Sequence, residues 1–276
     1  MKIDAHQHFW SYNTHEYTWI SDEMSVLKTN HLPDDLWREQ HSINFDGSIA
    51  IQARQTLQES KWLLQLANLE PRIKGVVGWV DLCSQNIETQ IAQLGTHPKF
   101  VGVRHVLHDE PDDQFMLRPD FLNGIQKLKR HNLTYDLLLF EKHLPIAIQL
   151  VQQFPEQTFI LDHISKPLIK NNILSPWDEN LRKLATFPNV SCKLSGMVTE
   201  ANWNTWTPQD LEPYMTVALE AFGPDRLMIG SDWPVCKLAA DYSKVMQTTL
   251  DFLKRLSKPQ QAAILGENCQ RIYQLS

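Results

Sequence analysis

The sequence predicts a closed (β/α)8 barrel of the TIM type, one α/β domain spanning residues 1–276. Three observations predict it. About eight short runs rich in Val, Ile and Leu follow one another along the chain. Segments of helical period separate them, the pattern of βα units around a parallel sheet. A length of 276 residues is ordinary for such a barrel built as a single domain.

The strands expected are KIDAHQHF at the start, GSIAIQ ending at Gln52, KGVVGWVDL ending near Asp81, and FVGVRHVL around Arg104. LTYDLLLF ending at Phe140, TFILDHIS around His163, VSCKLSGM around Lys193 and RLMIGSDWP around Asp232 complete the set. In an extended strand alternate side chains share a face, so Asp4, His6 and His8 are expected to project from one side and Ile3, Ala5 and Gln7 from the other.

Helices have readable ends. Ile87, Ile91 and Leu94 repeat at helical spacing before Gly95, and Phe121, Ile125 and Leu128 do so before Asn132. Ser175-Pro176 and Thr207-Pro208 each place a capping hydroxyl before a proline at the first helical position, with Asp178 and Asp210 following; the second helix is expected to end at Gly223-Pro224. Residues from Trp10 to about Leu32 are polar and aromatic without period, longer than a usual connection, and predict a loop overhanging the barrel mouth.

Net charge is -6, without the clustered positive surface that nucleic acid requires. No apolar run reaches the roughly 20 residues of a membrane span, and the N-terminus enters strand-like sequence without an apolar signal core, so a cytoplasmic protein is expected. Cys83, Cys192, Cys236 and Cys269 are scattered and read as reduced packing residues. Assembly with further copies of the chain is left open.

In such a barrel all C-terminal strand ends meet one mouth. His6, His8, Gln52, Arg104, His105, His163, Lys193, Ser195 and Asp232 all fall late in their strands. Three imidazoles and a carboxylate, from His6, His8, His163 and Asp232, suit one borderline divalent ion such as zinc. They equally suit hydrolysis with no ion, Asp232 taking a proton from water while a histidine polarises an ester carbonyl.

The segments DAHQHFW, LDHISKP, IGSDWP and ILGENCQRIY, in that order, resemble the amidohydrolase superfamily across nearly the whole chain. HQHFW, with Tyr17-Thr18-Trp19-Ile20 behind it, and GSDWPVC resemble more narrowly its branch of sugar-lactone hydrolases of the L-fucono- and L-rhamnonolactone type. The resemblance implies an amidohydrolase-like barrel in which Asp232 is general base toward water and His6, His8 and His163 surround the substrate carbonyl or a single metal. It departs from the two-metal members: the fourth strand reads GVRHVL and the fifth LTYDLLLF, lacking the bridging Lys or Glu and the further His of those members. One divalent ion and none both remain open.

For substrate binding the candidates are Arg104, His105, Gln52, Trp10, Trp19 and Trp233, with Tyr17, Asp81, His108, Lys166 and Lys193 behind them. A guanidinium can hydrogen-bond a carbonyl or product carboxylate, and aromatic faces suit the C–H surface of a sugar. Arg104 is the main arginine expected at the mouth, which favours a neutral aldonolactone over a dicarboxylate lactone. A metal-dependent decarboxylase on the same barrel and a non-catalytic sugar-binding barrel are the competing readings. No G-x-S-x-G and no G-x-G-x-x-G occurs, which disfavours a serine hydrolase and a dinucleotide-binding sheet.

Overall fold

A computed structural model describes residues 1–275. Eight strands lie side by side in sequence order: β1 (Ile3–Gln7), β2 (Gly47–Ile51), β3 (Ile73–Gly78), β4 (Phe100–Val106), β5 (Thr134–Leu138), β6 (Phe159–Leu161), β7 (Val190–Leu194) and β8 (Leu227–Ile229). Every neighbouring pair is parallel. The ring closes beyond β8, where Asp232 N donates to His6 O at 2.8 Å and His8 N to Trp233 O at 2.7 Å. The two segments that join the barrel therefore carry three of the four central candidates.

Apolar side chains form two layers, as expected for strands covered on both faces. The inner layer, with Ile3, Ala5, Ile49, Ile51, Val77, Val101, Ile160 and Met228, is closed from below by Cys269, Ile272 and Tyr273. Outside it lies the larger cluster between strands and helices, which includes the predicted stripes Ile87–Ile91–Leu94 and Phe121–Ile125–Leu128. The helix Pro208–Phe222 begins as expected: Thr207 N and Oγ1 both donate to Asp210 Oδ2, at 2.7 and 2.9 Å. It ends before Gly223, whose φ of 66° needs glycine. At the other proline the helix starts one residue later, at Trp177, and Ser175 Oγ donates to the Glu179 side chain instead of capping the backbone.

All eight strands stop short of the segments expected for them, and β3, β6, β7 and β8 do so by three or more residues, β7 ending at Leu194. β6 ends at Leu161, because His163, Ile164, Ser165 and Lys166 all have positive φ. β8 ends at Ile229, with Asp232 at φ 58°, and β3 ends at Gly78 rather than near Asp81. The expected row of Asp4, His6 and His8 is also corrected. The β1–β2 register slips between Asp4 and Gln7. Asp4 instead accepts from Ser231 N at 2.9 Å and Ser231 Oγ at 2.6 Å, bracing the β8 segment, while the irregularity lets His6 join His8 in the barrel.

The long loop after β1 holds a short turn at Asp22–Leu27 and its own apolar cluster of Trp10, Tyr17, Ile20 and Leu27. Reciprocal Trp10–His31 backbone bonds, both 2.9 Å, close its base. Among the described residues no helix is long and apolar enough to cross a membrane, and the four cysteines are free thiols.

Candidate active site

His6, His8, His163 and Asp232 converge and are all buried. Asp232 Oδ1 lies 3.3 Å from His8 Nε2, 3.7 Å from His6 Nε2 and 3.8 Å from His163 Nε2. The Nε2 atoms of His6 and His8 are 3.3 Å apart. Zn–N bonds near 2.0–2.1 Å in a tetrahedron put neighbouring donors about 3.3 Å apart, so these separations suit one shared ion.

The opposite ring nitrogens are held. His8 Nδ1 faces the Ile51 carbonyl at 2.9 Å, which accepts only, so Nδ1 carries the proton and Nε2 a lone pair. His163 Nδ1 meets Ser195 Oγ at 2.9 Å. Burial drives the pKa of His6 and of His163 well below the usual imidazole value, leaving both neutral. For Asp232 burial acts to raise the carboxyl pKa, but the facing His163 and His8 outweigh it, holding the group below the usual carboxylate value. With Nδ1 turned to Ile51, Nε2 is the His8 atom that meets Asp232 Oδ1, and so close a contact needs a shared proton or a cation between the two.

Beneath them lies a sealed ionic layer. Asp162 Oδ2 accepts from Arg104 Nη1 at 3.1 Å, while Oδ1 is 2.9 Å from Lys193 Nζ and 3.3 Å from His6 Nδ1. Lys193 Nζ also donates to Asp136 Oδ2 at 2.5 Å, as does Tyr273 OH at 2.7 Å from the segment under the barrel. Burial acts to neutralise Lys193, but the two carboxylates outweigh it and raise its pKa. Around Asp162 burial is outweighed by Lys193, His6 and Arg104, and its pKa falls well below normal.

Above the histidines opens a cavity of about 340 Å³. His8, Arg104, His163 and Asp232 line its base, Trp19 and Met24 of the long loop one wall, and His108, Asp109, Lys166, Glu200 and Trp203 another. Several sequence candidates lie elsewhere. His105 follows Arg104 in β4 and so points to the opposite face, where it stacks on Phe115 and pairs with Glu110 at 2.6 Å. Trp10 is buried in the loop cluster, its Nε1 donating to Leu27 O and Thr29 O at 3.2 and 3.0 Å. Trp233 packs on Phe9 and His31. Gln52 does not reach the cavity but accepts Arg104 Nε at 2.9 Å, orienting the guanidinium. Tyr17 lies under Arg54, and Asp81 accepts from Cys83 N. Lys193 is a buried structural amine. Trp19, His108 and Lys166 do face the cavity.

Two residues central to this layer were not singled out from sequence, Asp162 and Asp136. Both carried a signal, an acid within an apolar strand run, which is rarely buried without a partner. Glu200 and Trp203 carried none; they follow β7 in sequence without period.

A closed barrel with an H-x-H at the first strand, a histidine after the sixth and an aspartate after the eighth defines a class, and the chain belongs to it: it is a member of the amidohydrolase family, whose model matches residues 3–275. It is 40% identical over its whole length to the L-fucono-1,5-lactonase of Burkholderia multivorans, of which it covers 96%, and 32% identical over 99% of its length to that of Burkholderia ambifaria, again covering 96%. The crystal structure of an amidohydrolase from Burkholderia multivorans with bound zinc superposes with a TM-score of 0.97 at 40% identity, each chain covered in full.

Proposed function

We propose that the protein hydrolyses a sugar lactone to its aldonic acid, L-fucono-1,5-lactone being the first choice of substrate and the cytoplasm its place of action. The observation that carries this reading is the convergence of His6, His8 and His163 on Asp232 Oδ1 at the base of a small cavity, in a chain 40% identical to a curated L-fucono-1,5-lactonase.

Asp232, ionised by its surroundings, takes a proton from water as the water oxygen attacks the lactone carbonyl. Its carboxyl then returns that proton to the ring oxygen as the ester bond breaks. The donor set fits a divalent ion such as zinc: His6, His8 and Asp232, with His163 beside them, would hold it through Nε2 and carboxylate oxygens. When bound, such an ion supplies Lewis-acid polarisation and a more acidic water. Asp162 orients His6, Ile51 orients His8 and Ser195 orients His163.

The cavity favours a neutral substrate. Arg104 already faces Asp162, Gln52 and His6, and Lys166 gives one of its three donors to Glu200, so the described lining lacks the several convergent free cations that a dicarboxylate lactone calls for. Trp19 and Trp203 offer faces to a sugar ring. The test is a pH-indicator assay of L-fucono-1,5-lactone and other aldonolactones on chelator-treated and zinc-loaded protein. Lactone opening is expected. Hydrolysis of no lactone, with carbon dioxide released from an aromatic or β-keto acid, would transfer the protein to the decarboxylases.

A further inference from the structure

After β6 the chain makes one left-handed turn. His163 has φ 53° and ψ 33°, Ile164 φ 46° and ψ 29°, Ser165 φ 63° and Lys166 φ 46° and ψ 63°. L-residues other than glycine rarely enter this region even singly, and a β-branched residue such as Ile164 does so only when its surroundings compel it. Here they do: Ile164 and Ser165 are wholly buried, Trp177 Nε1 donates to Ile164 O at 2.7 Å, and Ser165 Oγ donates to Phe140 O at 3.2 Å. Lys166 N donates to His163 O at 2.9 Å and closes the turn. Residues three apart on a helical turn share a side, and both His163 and Lys166 line the cavity while the two between them face the core. Strain of this kind, held in place at a site, points to a function for the side chains it presents.

Resting on the lactonase reading, we infer that Lys166 is the residue that binds the lactone carbonyl oxygen as it becomes an oxyanion, and then the carboxylate of the product. Its ammonium has three donors, and Glu200 Oε1 takes one at 2.5 Å. Arg104 is committed to Asp162, Gln52 and His6, and Lys193 is sealed below the histidines. Lys166 keeps two ammonium donors beyond its Glu200 contact, whereas Arg104, with Nε, Nη1 and one Nη2–H engaged, keeps a single one. The step balances: water oxygen bonds to the carbonyl carbon, its proton goes to Asp232, and the C=O π pair moves onto oxygen beside the Lys166 ammonium. The C=O then re-forms, the ring C–O bond breaks, and the ring oxygen takes the proton from Asp232. The resulting acid ionises and its carboxylate stays on Lys166 until release. The substrate is neutral and the transition state anionic, so the contact acts on kcat more than on KM.

The experiment measures turnover of L-fucono-1,5-lactone and inhibition by L-fuconate for wild type, Lys166→Met, Lys166→Arg and Glu200→Gln, with circular dichroism to verify folding. Loss of one oxyanion donor lowers kcat about 10²-fold, so Lys166→Met is expected to do this with KM changed less than about threefold. L-Fuconate is expected to bind more weakly to Lys166→Met and more tightly to Glu200→Gln, whose competing anion is gone, and Lys166→Arg recovers part of kcat. A merely structural ion pair would make the Met and Gln variants behave alike. Wild-type kcat in Lys166→Met, or equal shifts of L-fuconate affinity in the Met and Gln variants, overturns the assignment and leaves the lactonase reading standing. Wild-type protein that opens no aldonolactone overturns both.

Discussion

His8 Nε2 and Asp232 Oδ1 stand 3.3 Å apart, while the other nitrogen of the same ring donates to the Ile51 carbonyl at 2.9 Å. Nε2 is therefore the ring atom that meets Asp232, and the carboxyl, held below its usual pKa by the facing His163 and His8, is the base of the pair. Replacing Asp232 by Asn keeps the shape and removes the base. Lactone hydrolysis is expected to fall about 10²–10⁴-fold in kcat/KM with the thermal midpoint nearly unchanged. A variant that keeps more than a tenth of wild-type kcat/KM would defeat the general-base role.

The same pair predicts metal behaviour. Chelator-treated protein titrated with zinc is expected to bind one ion per chain, and His8→Gln is expected to weaken that binding by more than the roughly 10–100-fold typical of losing a residue that only orients a ligand, because His8 would touch the ion itself. Isothermal titration reads both. Equal zinc affinity in wild type and variant would remove His8 from the ligand set.

The eight strands were legible because strands covered on both faces read as apolar runs, and the polar residues at their ends marked the mouth. His6, His8, His163 and Asp232 were found on that basis and do converge. Alternation along β4 separates Arg104 from His105 but does not say which points inward; in the folded chain Arg104 reaches the cavity and His105 turns away to Glu110. Asp4 was misplaced because a register slip is a property of two paired strands and leaves no mark in one. Trp10 and Trp233 look like sugar platforms in sequence, yet Trp10 is buried in the loop's own core and Trp233 in the larger cluster between strands and helices.

Gly196 follows β7 with φ 64°, and a Cβ there would overlap the His163 ring. Gly196→Ala therefore pushes His163 away from Asp232 and strains the backbone at once. Misplacement of a reacting group by about 1 Å can cost about 10²-fold, so kcat is expected to fall on that order while the protein remains folded. Unaltered kcat in a folded Gly196→Ala protein would show that His163 need not stand where it does.

Glu59 Oε2 accepts from Ala53 N at 3.0 Å and Arg54 N at 2.7 Å, and burial pushes its pKa from 4.5 to about 7. The folded protein thus binds this proton more readily than the unfolded chain does. Its contribution to stability is fully present below pH 4.5 and is lost as pH rises through about 7, on the order of 3 kcal/mol at most. Glu59→Gln keeps the acceptor and removes the charge. Urea unfolding at pH 5 and pH 8 should show wild type losing stability relative to the variant, and parallel profiles would contradict the burial of an ionisable proton there.

Lys193 is the cation common to Asp136 and Asp162, with both side chains fully buried beside it. Lys193→Met fills the space and removes the charge, leaving two carboxylates facing each other away from water. A buried ion pair broken on one side commonly loses about 3–5 kcal/mol, because the remaining charge is uncompensated. Part of that loss is relieved if one carboxylate takes a proton, so the variant is expected to be less unstable at pH 5 than at pH 8. The double replacement of Lys193 by Met and Asp136 by Asn removes one of the opposed charges and is expected to recover stability at pH 8, while Tyr273 OH, 2.7 Å from Asp136 Oδ2, keeps a partner in the amide oxygen. Denaturant midpoints of the three proteins at both pH values measure this, and a single Met variant as stable as wild type at pH 8 would mean the layer beneath the histidines is not held by its charges.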